Sequence, residues 1–209
     1  LMYDQSIFVF NKSHNYAFTH EWHRYQSYWF LYYICQKYND IKSVANVWNH
    51  PETTAVDFNE AYMHLHGIDV EELFRQYFDY ACHLVTWDLD ACEPYRNPYI
   101  GQFEYRCSKL ADGNYQVALA SCPQSTGFNV IPLQTAPAGT TVTTTFTALA
   151  NRAALAESDP GEYLDGNTQW QKVDYRYYNA NSRYAKRGFR LGYVVLTKSG
   201  ERQYFAEDK

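Results

Sequence analysis

Asp69-Val70-Glu71-Glu72-Leu73-Phe74-Arg75-Gln76-Tyr77-Phe78-Asp79-Tyr80-Ala81-Cys82-His83 is the stretch that decides the fold class of the first half of the chain. Asp69 is placed to accept from the orphan amides of a first helical turn, and Glu72, three residues on, can reach back to the Asp69 amide. Leu73, Phe74, Tyr77, Phe78, Ala81 and Cys82 then recur at helical spacing as one apolar stripe. Glu71 and Arg75 stand at i, i+4 on the wet side, and His83 falls in the last turn, where the helix dipole favours a cation.

Upstream of this helix the pattern stays helical. Tyr25, Tyr28, Trp29, Tyr32 and Tyr33 share one helical face, while Phe30, Leu31 and Ile34 make the remaining faces apolar, so this helix is expected to be buried. Asn39-Asp40 breaks it, Ile41–Trp48 makes a short second helix, and Pro51 with Thr53-Thr54 marks the next stop and start. Phe58, Ala61, Tyr62 and Leu65 mark a third, closed by Gly67, whose lack of a Cβ suits a left-handed position after a helix.

Downstream the period changes from helical to two. Phe103, Tyr105 and Cys107 alternate with polar residues, Ala111-Asp112-Gly113 turns the chain, and Tyr115, Val117 and Leu119 continue the pattern as a hairpin. Gly127–Leu133 and the alternating Thr141–Phe146 read as further strands. Phe189–Thr197 and Arg202–Phe205, joined by Lys198-Ser199-Gly200, read as a final hairpin. Pro94 and Pro98 punctuate the boundary. The fold class expected is therefore α+β, with a helical subdomain over residues 1–98 followed by an antiparallel β-sandwich over residues 99–209.

Charge divides in the same place. Residues 1–100 hold 6 Lys+Arg against 13 Asp+Glu, a net of −7, and residues 101–209 hold 12 against 10, a net of +2. Opposite signs suggest two parts packed together, with the excess of Tyr (21 residues) partly at their contact. The acidic balance and the lack of a basic stripe argue against a nucleic-acid binder. No apolar run approaches the roughly 18–20 residues of a membrane span. The chain opens on Leu1-Met2-Tyr3-Asp4-Gln5 and enters the apolar run Ile7–Phe10 almost at once, so it reads as the downstream part of a longer polypeptide.

The segment Thr19-His20-Glu21-Trp22-His23-Arg24 invites comparison with a zinc peptidase helix, which needs His at i and i+4 to aim two imidazoles at one ion. Here i+4 is Arg24, which cannot ligate zinc. His20 and His23 are the remaining candidate ligands, with Glu60 or His64 to complete a site; the simpler reading makes them flank an aromatic core helix. His64 and His66 diverge by about 200° on a helix and read as surface residues beside Gly67. Asp88-Leu89-Asp90 pairs two carboxylates, a pattern open to glycosidase or Ca²⁺ chemistry but simpler as a solvated junction.

The five cysteines include no Cys-x-x-Cys pair, which argues against a zinc ribbon or a thioredoxin-type site. Cys107 and Cys122 are the disulfide candidates if the chain is exported, although with Asp112-Gly113 as the turn they are not directly opposite. Trp170, Tyr175, Tyr177 and Tyr178, interleaved with basic residues, are candidates for stacking on a glycan or on a protein partner, against the simpler reading that they pack on the helical part.

Glu21-Trp22-His23-Arg24-Tyr25, Val85-Thr86-Trp87-Asp88-Leu89-Asp90 and Gly127-Phe128-Asn129-Val130-Ile131-Pro132-Leu133 together resemble the C-terminal half of a family of exported microbial proteins. That family is a domain of unknown function with a gluzincin-like metallopeptidase core. The resemblance implies a chain that is exported, and a His-Glu-x-x-His helix lying upstream of these residues. Zinc would belong to the full-length protein and no cofactor to this stretch, so no catalytic residue is carried over. The stretch is then a non-catalytic downstream portion of a metallopeptidase-like protein. The other reading is a glycan- or protein-binding surface or adhesion module whose enzyme core is vestigial.

Overall fold

The computed structural model describes residues 10–18, 20, 23, 26–50, 57–94, 96–118, 121–135, 137, 139–147 and 188–207. Helices and small antiparallel sheets make it a mixed α+β protein. Its contacts form two compact units, and their division does not follow a single boundary near residue 99. The first unit takes Leu1–Phe103, Pro123–Phe128 and Arg190–Lys209; the second takes Glu104–Cys122 and Asn129–Phe189. The terminal hairpin, expected within the β part, thus belongs with the helices.

Among the described residues, helices α1 (Tyr28–Tyr38), α2 (Ser43–Trp48), α3 (Phe58–His66) and α4 (Val70–Leu84) belong to the first unit. Helix α4 starts where the sequence says it should, with the Asp69 carboxylate accepting the Glu72 amide at 2.8 Å. Asp57 caps α3 in the same way, accepting the Glu60 amide at 3.0 Å. Such a cap contributes about 1 kcal/mol. The stops are equally local, for Asn39 (φ 48°) ends α1 and Gly67 (φ 61°) ends α3, both in the left-handed region.

The reciprocal half of the expected capping box does not form. The Glu72 carboxylate instead accepts from Gln76 Nε2 at 3.0 Å and pairs with Arg75 at 2.9 Å. Glu71 therefore does not take Arg75 and meets Arg190. A second correction concerns α1. Its buried residues are Trp29, Phe30, Tyr33 and Ile34, whereas Tyr32 is exposed, so the inward face is rotated from the Tyr-rich one.

The core of this unit is built mainly of rings. Phe30 stacks on Tyr77 with centroids 4.1 Å apart and meets Tyr80 edge-on at 5.3 Å. Trp87 packs edge-on against Trp29 at 5.3 Å and stacks on Phe103 at 5.8 Å. Burying one such side chain contributes about 1.5–3 kcal/mol, and favourable ring geometry adds about 0.5–1.5 kcal/mol. Tyr33, Tyr62, Tyr77 and Tyr80 all lie in this core, so part of the Tyr excess serves the interior of the helical unit itself. The hydroxyl of Tyr62 finds Gln76 and Tyr38, and that of Tyr77 finds Asn59 at 2.7 Å, which makes their burial affordable.

The strands are shorter than their alternation suggests. In the second unit β1 (Cys107–Lys109) pairs antiparallel with β2 (Tyr115–Val117), and Cys107 faces Val117. Gly113 turns this hairpin at φ 88°, as expected. Phe103, expected inside that strand, is instead buried in the first unit against Phe10, Trp87 and Phe128. Gly127–Leu133 is not a strand either, because the Phe128 amide is given to His14 O at 3.0 Å rather than to a ladder. Thr140–Thr147 is exposed throughout and is not in a strand. Among the described residues the strands make two separate two-stranded sheets.

The terminal hairpin pairs β3 (Leu191–Leu196) with β4 (Arg202–Glu207), in register from Leu191↔Glu207 to Leu196↔Arg202. Residues directly opposite share a face, so Gly192, Val194, Tyr204 and Arg202 lie on one side. That side meets α4. A Cβ on Gly192 would stand 2.8 Å from Phe78 and 3.3 Å from the Cys82 sulfur. The apolar stripe read along α4 is therefore two faces. Leu73, Tyr77, Ala81 and Leu84 enter the helical core, while Phe78 and Cys82 meet the hairpin.

Candidate functional site

Polar side chains converge where α4 ends and the terminal hairpin lies against it. Trp87 closes the helix in the left-handed region (φ 52°), with its amide on Leu84 O at 3.1 Å and the next amide, Asp88, on His83 O at 2.9 Å. A bulky residue with this backbone costs of order 1–3 kcal/mol, and the fully buried ring is what holds it there. Asp88 follows directly and becomes a hub. Its carboxylate accepts from the Tyr204 hydroxyl, and it lies 3.6 Å from Arg202 Nε and 3.8 Å from Arg96. Arg202 Nε also donates to Thr86 Oγ1 at 2.8 Å.

A second carboxylate, Asp79, sits two turns back on the same helix. It accepts the Tyr33 hydroxyl at 2.6 Å and lies 3.5 Å from His83 Nδ1. The His83 ring in turn stacks on Tyr204 at 4.9 Å and 16°. Burial, and then the hydrogen bonds to Asp79 and Asp88, hold the Tyr33 and Tyr204 hydroxyls well above the ordinary phenol range. Both phenols are thus donors fixed to a carboxylate. The cluster ties α1, α4 and the hairpin together, and its acids already accept internal donors.

From sequence, Asp88-Leu89-Asp90 reads most simply as a solvated junction. The structure corrects this for Asp88, which is half-buried among two cations and a phenol, while Asp90 remains exposed. Arg202 and Tyr204 were missed as site residues, although their i, i+2 spacing on an expected strand already put them on one face.

The histidines occupy a different place. His23 is buried, its Nδ1 lies 3.2 Å from Ser13 Oγ, and its ring lies 5.1 Å from Phe10. Burial, followed by the neighbouring His14 and His20, lowers its pKa to about 4, so it is neutral at pH 7. His20 stacks on Tyr16 at 4.2 Å. His14, buried too, lies 5.0 Å from Phe103 and 5.3 Å from Phe128. Among the described residues no group of three or more His, Cys, Asp or Glu is disposed to hold a metal ion. His66 is not the plain surface residue expected, since it stacks on Tyr38 at 4.1 Å and burial lowers its pKa. His64 is exposed.

The remaining candidates separate. The described residues contain no disulfide, and the observed register sets Val117 rather than Cys122 across from Cys107. Trp170, Tyr175, Tyr177 and Tyr178 lie outside the described residues. No described helix is long and apolar enough to cross a membrane.

The chain belongs to a family of unknown function, DUF6055, which it matches over residues 2–208. Neither a curated protein nor a solved structure matches it.

Proposed function

We propose that this chain is a non-catalytic portion of an exported protein whose zinc-peptidase-like, gluzincin-type core lies upstream, and that the helical unit serves architecture. The observation that carries the reading is the commitment of Asp88 and Asp79 to internal donors. A general acid or base must present a lone pair or proton to a substrate. Here Tyr204, Arg96 and Arg202 surround one carboxylate, and the other accepts the Tyr33 hydroxyl, while His83 Nδ1 bonds the Asp79 main-chain oxygen at 2.9 Å. His23 is likewise a neutral core imidazole packed on Phe10. The same reading keeps an antiparallel β-sandwich as the architecture of the β part.

Zinc content of the purified chain, with peptidase activity measured beside it, tests the proposal. The expected result is substoichiometric zinc that His20→Ala and His23→Ala leave unchanged, and no peptide hydrolysis. Stoichiometric zinc lost in His20→Ala, or hydrolysis lost in Asp88→Asn at unchanged folding, would overturn it.

One observation favours a second reading, in which the chain binds a glycan or a protein at the cell surface. On the side of the terminal hairpin away from Gly192 and Tyr204, Phe205 is 52% and Val195 43% exposed, with Tyr193 directly across from Phe205. Aromatic rings on an exposed sheet face suit stacking on sugars. Glycan-array binding that weakens in Phe205→Ala is the result this reading expects; an array without a hit counts against it.

A further inference from the structure

The two cations beside Asp88 are held in place by the protein but use few of their donors within it. Arg202 stands on the face of β4 that meets α4, and its side chain is only 14% exposed. Its Nε donates to Thr86 Oγ1 at 2.8 Å and lies 3.6 Å from Asp88 Oδ1. Arg96 is presented by a closed turn, since its carbonyl accepts the Tyr99 amide at 2.9 Å and the Ile100 amide at 3.2 Å. Its side chain is 22% exposed, yet its guanidinium stands 3.8 Å from Asp88 Oδ1 and 3.9 Å from Glu93, both beyond hydrogen-bonding distance. Two guanidiniums thus flank one carboxylate oxygen, and the other oxygen of Asp88 is taken by the Tyr204 hydroxyl.

Neither guanidinium has a buried nitrogen left without a partner, so the donors not used within the protein open to water. Charge is unbalanced at the same place. Glu93 is 72% exposed and screened by solvent, which leaves Asp88 as the half-buried carboxylate facing two half-buried guanidiniums. A guanidinium is a planar fork whose paired N–H groups match the oxygens of an oxyanion, and it sheds water more readily than an ammonium. Fixing such forks in advance lowers the ordering cost of binding.

We propose that Arg96 and Arg202 form an oxyanion-binding site beyond the end of α4. Their unused donors close on a sulfate, phosphate or carboxylate group, while Asp88 and Thr86 hold the two side chains in position. The site binds without chemistry, so it goes beyond both readings of the chain and rests on neither. The charge of Asp88 opposes the incoming anion, so a lone ion binds weakly and is read by titration rather than by retention.

Titration of the full chain with sodium sulfate, sodium phosphate or sodium acetate tests this, with ionic strength held constant by sodium chloride and the Arg Nε–Hε resonances followed. A saturable shift is expected at Arg96 and Arg202 and none at Arg190, whose guanidinium pairs with exposed Glu71 on the helix surface. The probe that saturates at the lowest concentration names the ligand class, tetrahedral or carboxylate. Arg96→Gln should weaken the binding read at Arg202 by roughly 10-fold or more. Shifts that never saturate, shifts that spread equally to Arg190, or undiminished binding in a folded Arg96→Gln chain would overturn the proposal. Because the wild-type titration carries its own control in Arg190, a variant that fails to fold leaves the test intact.

Discussion

The two described hairpins are built alike and situated differently. Each turns on a glycine in the left-handed region, Gly113 at φ 88° and Gly200 at φ 87°. Yet β1–β2 pairs three residues a side, whereas β3–β4 pairs six. The longer one lies on a helix. Gly192 admits Phe78 and Cys82, Arg202 and Tyr204 hold Asp88, and Arg190 holds Glu71. An isolated two-stranded hairpin is marginal in water, and packing against a helix is what makes it stable. Turn chemistry starts a hairpin, and the surface it lies on sets its length.

That comparison is broken most forcefully at Trp87. Trp87→Ala empties the centre of the ring core and removes the side chain that holds the strained closure of α4. It is expected to destabilise the helical unit by about 3–5 kcal/mol, read by chemical denaturation, and to free β3–β4 with it. A β1–β2 signal that fell in parallel would show the two hairpins to be one cooperative element.

Acid should act on the same unit. His23 in the folded chain protonates only near pH 4, against 6.5 when unfolded. Between those values the unfolded chain binds more protons, so stability is full above about pH 6.5, falls as pH drops through the window, and levels off below pH 4. The loss attributable to this group is about 3 kcal/mol. A stability profile flat from pH 7 to pH 4 would contradict the assignment of His23 as a neutral core residue.

Asp88→Asn sharpens the comparison at the hub itself. It leaves Arg96 and Arg202 without their shared carboxylate, and since the site is half-buried the expected cost is about 1–2 kcal/mol. The effect should concentrate in faster exchange of β3–β4 amides. Smallest of all is Gly113→Ala, whose side chain is disfavoured at φ 88° and costs about 1 kcal/mol. It should disturb β1–β2 chemical shifts while leaving the denaturation midpoint of the helical unit in place.

Much of this was legible in the sequence wherever the determinant is local. Asp69, Asn39 and Gly67 mark helix ends by their own chemistry, and the structure puts all three where their residue types demand. The same holds for the turn residues of both hairpins. What was not legible depends on which surface an apolar residue meets. Phe103 alternates like a strand residue because it is apolar beside polar neighbours, but its ring belongs to the Trp87 stack. Gly127 and Phe128 look like strand residues, and in fact the Gly127 amide closes a local turn on Gln124 O while the Phe128 amide bonds His14 O, more than a hundred positions upstream. The stripe on α4 merged two faces because a helix packed on one side by helices and on another by a hairpin is apolar over a wide arc. Asp88 reads as solvated because its partners, Arg202 and Tyr204, stand more than a hundred residues later.

Residue-resolved amide exchange along the two hairpins and α4, compared between wild type and Asp88→Asn, tests the central claim most directly. The account predicts that wild-type β3–β4 amides exchange with the same opening free energy as the core of α4, that β1–β2 exchanges independently, and that Asp88→Asn uncouples β3–β4 from α4 without changing β1–β2. Exchange of β3–β4 at the rate of β1–β2 in the wild type, or an Asp88→Asn chain whose hairpin stays as protected as before, would contradict it.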